Sequence, residues 1–377
     1  MRSIDLATGS PTRKIIAFAI PIFIGNLFQQ IYSISDMFVV GRYLGKEALA
    51  AVGACSAVII FLTSIIIGLC MGSGVLFSQL YGAKDYEKLS GAISTSFMFI
   101  LAITLVTMVS TMVFINPLMR VFSIPLEVMG LAKTYLLITV SGLPFMLLYN
   151  MAAVVLRAFG DSKTPLIFLV TASTINIIFD FILVLVWPLG IKGPAISTLA
   201  AQLVSAIPLS IYAIKKMSFL KLRPNFDLAL FNRVSQYSLL TSLQQSIMNF
   251  GILMVQALVN SFGVTIMAAF AIGVKIDTFA YMPAQDFGNA FSTYVAQNKG
   301  ANKNIRIQKG FRSAIICSSV FSIVLSLLVI IFAPNLVAIF SDSDADVIAQ
   351  GARYLRIEGV FYILIAYLFI HYGFIGG

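Results

Sequence analysis

The sequence predicts an all-α membrane protein of about ten transmembrane helices in two homologous bundles, six helices followed by an incomplete second six. Three observations support this. Hydrophobic residues make up 59% of the 377 positions and charged residues only 11%, whereas soluble domains keep roughly a quarter of their residues charged. The charges lie in short runs between apolar stretches of about 20 residues or more. Finally, the sequence repeats itself at a constant displacement of 218 positions, for example from 79 to 297.

Apolar runs bounded by charged, proline-containing or glycine-containing loops predict the helices one by one. In chain order they cover 15–41, 49–80, 90–115, 130–157, 163–186, 191–214, 232–260, 264–295, 312–332 and 347–373. The first run is too long for the apolar core of a signal peptide, so we expect it to be the first transmembrane helix. Pro21 lies early in this helix and is expected to kink it.

Basic residues concentrate in alternate loops, which predicts the orientation of the chain. One side of the predicted bundle carries most of them, among others Arg13, Lys14, Lys84, Lys88, Lys215, Lys216, Lys303 and Arg306. The positive-inside rule therefore predicts a multi-pass protein with its N-terminus in the cytoplasm. The net charge of +10 does not indicate nucleic-acid binding, because the basic residues lie at helix ends. The expected surroundings are a lipid bilayer.

The repeat predicts the domain organisation. Residues after the second predicted helix recur after the eighth, namely Gln79, Gly82 and Ala83 as Gln297, Gly300 and Ala301. We expect an N-terminal six-helix lobe at 1–214, a cytoplasmic linker at 215–231 and a C-terminal lobe of four helices at 232–377. Because six is even, both lobes enter the membrane in the same direction, which is a parallel repeat. Compared with the first lobe, the second lacks two helices.

Four polar side chains are predicted to share one layer in the outer half of the first lobe. At about 1.5 Å of rise per residue, Asp36, Asp180, Thr198 and Tyr135 each lie about 8–10 Å from the outer end of their helix. Asn176 precedes Asp180 by four residues and therefore lies on the same face, one turn deeper.

Two chemistries fit this layer. A carboxylate next to another in a poorly hydrated pocket can take up and release a proton near neutral pH. Alternatively, two carboxylates with amide and hydroxyl oxygens form a cage of hard oxygen ligands suited to an alkali cation such as Na⁺. Both interpretations make the layer an ion-coupling site. The competing interpretation is that each aspartate lies at a wet interface or caps a neighbouring loop.

The motifs around these residues resemble the multidrug and toxic-compound extrusion (MATE) family of bacterial cation-coupled efflux transporters. The resemblance covers nearly the whole chain and depends on segments 21–53, 78–85, 156–165, 176–180 and 190–198. It implies a MATE-like fold in a bacterial inner (plasma) membrane. It also implies an ion or proton site, with possible Na⁺ binding, formed by Asp36, Asn176, Asp180 and Thr198, with Tyr135 as a neighbour and Pro21 as a bend.

The second lobe departs from the family pattern, in which some members carry a glutamate in the seventh helix and an aspartate in the tenth. Here the seventh predicted helix offers Gln244 and the tenth Glu358. Lys275 and Glu358 are each about 17 Å from the outer end and could form an ion pair, structural or substrate-binding. Asp277 is expected to face a substrate cleft, whereas Asp286 is expected to be solvated near the inner surface.

The leading hypothesis is an antiporter that exports cationic, amphiphilic drugs and toxic compounds by alternating access between two lobes. No cofactor is expected apart from the transported proton or Na⁺, and a monomer is expected. The alternative is a flippase for lipid-linked sugars, for which a wide basic cleft would be needed and only Lys275 is a candidate. An enzyme is not expected, because the sequence shows no recognisable catalytic nucleophile with a general base beside it, and no phosphate-binding P-loop.

Overall fold

The computed structural model describes residues 4–122, 124, 126–217, 220, 227–259, 262–340 and 345–377, and every regular element in these ranges is helical. The α-helices are, in chain order, α1 (Pro11–Val39), α2 (Lys46–Gly82), α3 (Tyr86–Val113), α4 (Ile115–Val121), α5 (Met129–Ser141), α6 (Leu143–Ala158), α7 (Lys163–Phe181), α8 (Lys192–Lys216), α9 (Leu228–Val259), α10 (Val264–Gly300), α11 (Asn304–Ala338) and α12 (Ala345–Gly376). Two of them continue into a π-helical turn, α1 into Val40–Leu44 and α7 into Ile182–Val186.

The surface of the protein is that of a membrane protein. Within the described residues, eight helices are long and apolar enough to cross a membrane, and the bent pair α5 and α6 makes a ninth. α9 has 32 residues, although several of its side chains lie outside the described part of the chain. One stripe of α11 is exposed and wholly apolar, at Ile316, Val320, Val324, Leu327 and Ile331. Water does not cover such a stripe well, whereas lipid does, and the predicted all-α membrane class is confirmed.

The predicted helix at 130–157 is in fact two helices bent by 40°. α5 ends before Gly142 and α6 begins after it, with Pro144 in the first turn of α6. A proline fits there because the first turn of a helix has no partner for its backbone N–H groups. α8 approaches closely at the bend, since a Cβ atom at Gly142 would lie 2.0 Å from Oε1 of Gln202.

The backbone repeats the displacement of 218 positions seen in the sequence. α2 and α10 both have 37 residues. Each is preceded by a glycine with positive φ, 86° at Gly45 and 95° at Gly263. Each is followed by a residue in the left-handed region that is not glycine, with φ 58° at Lys84 and 56° at Asn302. The predicted homology of the two halves is therefore visible in the fold.

Packing divides the chain into two compact units, one containing Ile24–Ser246 and the other Ile4–Phe23 with Ile247–Gly377. We call them unit 1 and unit 2. They differ from the predicted lobes in two places: the first part of α1 belongs to unit 2, and the first part of α9 belongs to unit 1. In the predicted linker at 215–231, residues 218, 219 and 221–226 lie outside the described residues.

The contacts inside each unit explain these two assignments. In unit 1, α9 packs on α2, where the hydroxyls of Ser73 and Ser238 lie 2.8 Å apart. In unit 2, α1 packs on α10, where Phe18 and Phe291 belong to one buried apolar cluster. Phe291 occupies the repeat position of Ser73, and α1 and α9 are themselves equivalent in the repeat. Each unit thus takes in the beginning of the other half's first helix.

Candidate functional site

α7 and α8 form one wall of a buried polar cluster in unit 1. Asn176 and Asp180 lie one turn apart on α7, with exposures of 1% and 0%. The Asn176 side-chain amide donates to the Ser197 hydroxyl over 2.9 Å, and this hydroxyl donates to the Asn176 backbone oxygen over 2.8 Å. α8 comes close because Gly193 has no side chain: a Cβ atom there would lie 3.0 Å from the Leu183 backbone oxygen. Two hydrogen bonds therefore fix Asn176.

The end of α1 forms the opposite wall. Asp36 is 9% exposed, and Tyr32, one turn earlier, is half-buried. The π-helical turn that follows carries Tyr43, whose ring contacts the ring of Phe181 edge to face at a centroid distance of 6.3 Å. This contact holds the end of α1 against the end of α7. Both aspartates lie just before a π-helical turn, an element frequent at functional sites.

The structure brings the predicted carboxylates together. Asp36 and Asp180 are close enough to interact electrostatically. Tyr135 on α5 is 5% exposed and interacts electrostatically with both, as does Tyr32. We call Asp36, Asp180, Asn176, Ser197 and Tyr135 the acidic cluster. The role of these residues in ion coupling stays a prediction.

Several oxygens of the acidic cluster are buried without a hydrogen-bond partner among the residues that the structure describes. They are Asp36 Oδ1, Asn176 Oδ1 and both carboxylate oxygens of Asp180. Buried polar atoms nearly always have a partner, so these oxygens are free to hold a bound ion or water. A proton would neutralise the charge of a carboxylate, and a hard cation would be coordinated by these oxygens. The donor set therefore fits either ion.

Ser197 and Tyr32 are the members of this region that sequence reasoning missed. Tyr32 could have been found from its position, because it precedes Asp36 by four residues, as Asn176 precedes Asp180. Thr198, the predicted α8 ligand, is half-buried, and its neighbour Ser197 makes the hydrogen bonds to Asn176. Adjacent residues on a helix face directions about 100° apart, and the depth estimate could not distinguish them.

Pro21 is buried inside α1, which runs without interruption from Pro11 to Val39. It lies in the part of the helix that belongs to unit 2, whereas Asp36 lies in the part that belongs to unit 1. Proline removes one hydrogen bond of the helix ladder, so α1 is weakened close to the point where it passes from one unit to the other, at Phe23 and Ile24.

Metal-binding side chains are not concentrated anywhere in the part of the chain that the structure describes. No group of three or more His, Cys, Asp or Glu residues there could hold a metal ion. The acidic cluster has two carboxylates, so a cation bound in it would also need the oxygens of Asn176 and of neighbouring hydroxyl or backbone groups.

Unit 2 contains a second buried carboxylate, Asp277 on α10, which is 7% exposed. The Tyr362 hydroxyl on α12 donates to Asp277 Oδ1, and Tyr354 of the same helix also interacts with this carboxylate. Glu358, also on α12, interacts with it electrostatically. Gly273 lets α12 approach, since a Cβ atom there would lie 2.4 Å from Cδ1 of Tyr354.

Some expectations for the second lobe are wrong. Lys275 is exposed and forms no ion pair with Glu358, because α12 packs on the face of α10 that carries Asp277. Lys275 and Asp277 are two residues apart, so their side chains lie on nearly opposite faces of the helix. Asp286 is 2% exposed and is therefore buried rather than solvated. Gln244 is exposed on α9, and its role in a substrate cleft, like that of Asp277 and Glu358, stays a prediction.

The chain is similar to known transport proteins. The family model described as MatE matches residues 21–182 and 240–377. The chain is 28% identical over 338 residues to the probable multidrug resistance protein YoeA of Bacillus subtilis, covering 87% of this chain and 73% of the relative. It is 27% identical over 381 residues to the probable multidrug resistance protein YpnP of the same organism, covering 100% and 84%. A solved MOP superfamily transporter from Pyrococcus furiosus has the same fold, with a TM-score of 0.92 at 21% identity, covering 100% of this chain and 84% of that one.

Proposed function

This chain belongs to the MatE family, and from that premise we propose that it is a cation-coupled antiporter exporting cationic, amphiphilic drugs and toxic compounds. Its relatives YoeA and YpnP are described as probable multidrug resistance proteins, which supports drugs as the exported class. The observation that carries the coupling proposal is the acidic cluster, in which two carboxylates are buried together and several oxygens have no hydrogen-bond partner within the described residues.

The coupling ion is a proton or Na⁺ that neutralises the cluster. Two carboxylates in a poorly hydrated site repel each other, and each loses its hydration shell at a cost of several kcal/mol. A bound cation or proton offsets both costs. The ionised cluster therefore favours a conformation in which water or an ion can reach it, and the neutralised cluster favours a conformation in which it is closed.

Export follows when drug and ion favour different conformations of the two lobes. The drug binds the arrangement open to the cytoplasm, and the ion binds the arrangement open to the outside. This difference in affinity is the coupling free energy, which is reciprocal for the two ligands. Pro21 provides a weak point at which α1 can bend when Asp36 changes its charge. The N-terminus lies in the cytoplasm, so the acidic cluster lies in the outer half of the membrane.

The proposal is tested by transport with purified protein in liposomes. Efflux of the cationic dye ethidium is measured under an imposed proton gradient, and separately under an imposed Na⁺ gradient. The unaltered chain should respond to at least one of the two. Asp36→Asn combined with Asp180→Asn should abolish the gradient-dependent part, because an amide neither takes up a proton at these pH values nor contributes charge to cation binding.

Glu47→Gln is the matched control, since it removes an exposed carboxylate at the start of α2. It should leave efflux within about twofold of the unaltered chain. Gradient-dependent efflux that persists in the double variant would show that the acidic cluster is not the coupling site. Movement of a labelled lipid-linked oligosaccharide, without movement of ethidium, would support the flippase alternative instead.

A further inference from the structure

Unit 2 contains an apolar cavity that the proposed transport cycle does not use. Its volume is about 250 Å³, and it lies between the first half of α1, the middle of α10 and α11. Ile16 and Ile20 line it from α1, Phe287 from α10, and Cys317 and Phe321 from α11. A cavity with such walls has no partners for water and binds hydrocarbon.

Two of the lining residues carry hydroxyl groups, Ser318 and Ser322. Ser318 lines the cavity, but its hydroxyl donates to the backbone oxygen of Ile315 on its own helix. A serine bonded to its own helix offers little to a polar ligand.

The cavity opens at the surface of the protein. Among the residues that line it, Ile16 is 37% exposed, Ile20 49% and Phe321 45%. The neighbouring exposed residues of α11 are also apolar, with Val320 at 59% and Val324 at 53%. A surface of this composition faces lipid tails, so the medium at the mouth of the cavity is hydrocarbon.

Three basic residues lie on α1 and α11 before the residues that line the cavity. The Thr12 hydroxyl donates to the Ser313 hydroxyl over 2.9 Å, which joins the start of α1 to α11. Arg13 follows Thr12, Arg312 precedes Ser313, and Lys309 lies one turn before Ser313. All three basic side chains are exposed, and within the described residues none of them forms an ion pair.

The charged end and the cavity have the spacing of a phospholipid. Arg13 precedes Ile16 by three residues and Ile20 by seven, so the three lie along one exposed edge of α1. The rise from Arg13 to Ile16 is about 5 Å and that from Arg13 to Phe23 about 15 Å. A phosphate at Arg13 and Lys309 would therefore place the first acyl carbons at the mouth of the cavity.

We propose that this part of unit 2 binds one anionic glycerophospholipid, with its phosphate between Arg13 and Lys309 and one acyl chain in the cavity. Basic residues next to a transmembrane helix attract anionic lipids, and basic pockets between helices hold their head groups. A cationic amphiphile would fit the cavity but would be repelled by the three basic side chains. This inference does not depend on the proposed transport function.

Binding is measured by native mass spectrometry of the purified chain in uncharged detergent, titrated with dioleoyl-phosphatidylglycerol or dioleoyl-phosphatidylcholine. The anionic lipid should bind more tightly. Each basic residue near an anionic group contributes roughly fivefold, so Arg13→Gln with Lys309→Gln should weaken phosphatidylglycerol binding about 25-fold. The same variant should weaken phosphatidylcholine binding by a clearly smaller factor, because the choline cation offsets the charge of its phosphate. Cys317→Phe, which fills the cavity from its rim, should weaken the binding of both lipids.

Two control variants match these changes. Lys163→Gln with Lys215→Gln removes two exposed charges from unit 1, and Val320→Phe adds a ring on the exposed side of α11 outside the cavity. Thermal unfolding in lipid-free micelles shows that each variant is folded. Equal binding of the two lipids would overturn the proposal, as would equal losses in the basic variant and its charge control. Unchanged binding in Cys317→Phe would also overturn it.

Discussion

Ser197 provides the sharpest test of the acidic cluster, because resemblance to the family points to its neighbour Thr198 and the geometry does not. Ser197 is fully buried and exchanges two hydrogen bonds with Asn176. Thr198 is half-buried, and among the described contacts its hydroxyl makes no hydrogen bond. The variants Ser197→Ala and Thr198→Ala remove a hydroxyl from adjacent positions of one helix, so each is a control for the other.

The size of the effect follows from the hydrogen bonds. Each hydrogen bond that Ser197 makes contributes about 1 kcal/mol net to stability, and a buried amide group left without a partner costs about 1–3 kcal/mol. Ser197→Ala should therefore lower the free energy of unfolding of unit 1 by about 2–3 kcal/mol. For a unit of this size, this lowers the melting temperature by about 5–10 °C. Thr198→Ala should change stability by less than about 0.5 kcal/mol, because alanine is also the better helix former.

Transport should also be impaired more by Ser197→Ala than by Thr198→Ala. Ser197 orients the Asn176 side chain, and the loss of such a supporting partner typically weakens ion binding about 10–100-fold. In liposomes, the ion concentration needed for half-maximal ethidium efflux should rise at least tenfold for Ser197→Ala and stay near the original value for Thr198→Ala. If Thr198→Ala causes the larger loss in both unfolding and transport, the geometric assignment of Ser197 is wrong.

Two further predictions concern the packing of unit 1. Asp161 lies in the loop before α7 and forms an ion pair of 2.5 Å with Lys216; burial alone would raise its pKa, but the bonds from Lys216 and Thr164 hold it below the usual value. The lowered pKa of Asp161 stabilises the fold above the ordinary aspartate pKa of about 4, so the melting temperature should fall as the pH drops below about 4. Asp161→Asn should lower stability by about 2 kcal/mol at pH 7 and flatten this pH dependence. An unchanged fall of the melting temperature below pH 4 in this variant would contradict the assignment. Gly72→Ala should destabilise the α2–α9 contact by about 1–3 kcal/mol, because its Cβ atom would lie 2.6 Å from Cα of Ser238. The control is Gly53→Ala, whose Cβ atom would meet nothing within 4 Å and which should leave the melting temperature unchanged or raised. Equal shifts of the melting temperature in the two variants would refute this prediction.

The acidic cluster shows how far spacing along the chain can lead. Helical depth placed Asp36, Asp180 and Tyr135 in one layer, and the structure puts them within electrostatic range of one another. Depth has a resolution of about one turn, because it counts rise and ignores direction around the axis. It therefore could not choose between Ser197 and Thr198.

Direction around the helix axis also explains the expectations that were wrong. Lys275 and Asp277 have nearly the same depth, but α12 packs only on the side of Asp277, so Lys275 is left exposed. Asp286 was expected to be solvated because it lies near a helix end in the sequence, yet it is 2% exposed. Which face of α10 is covered depends on residues far away in the chain.

The sequence by itself determined the class of the protein, its repeat and the common depth of Asp36, Asp180 and Tyr135. These are local properties: an apolar run must be covered by lipid wherever it lies, and the φ angles at Gly45 and Gly263 follow from equivalent stretches of chain. Only the tertiary structure decided that α1 begins in unit 2 and ends in unit 1, that Ser197 holds Asn176, and that α1, α10 and α11 line one apolar cavity. These features join residues up to about 300 positions apart, such as Thr12 and Ser313, and close packing between distant helices is not encoded in any single segment.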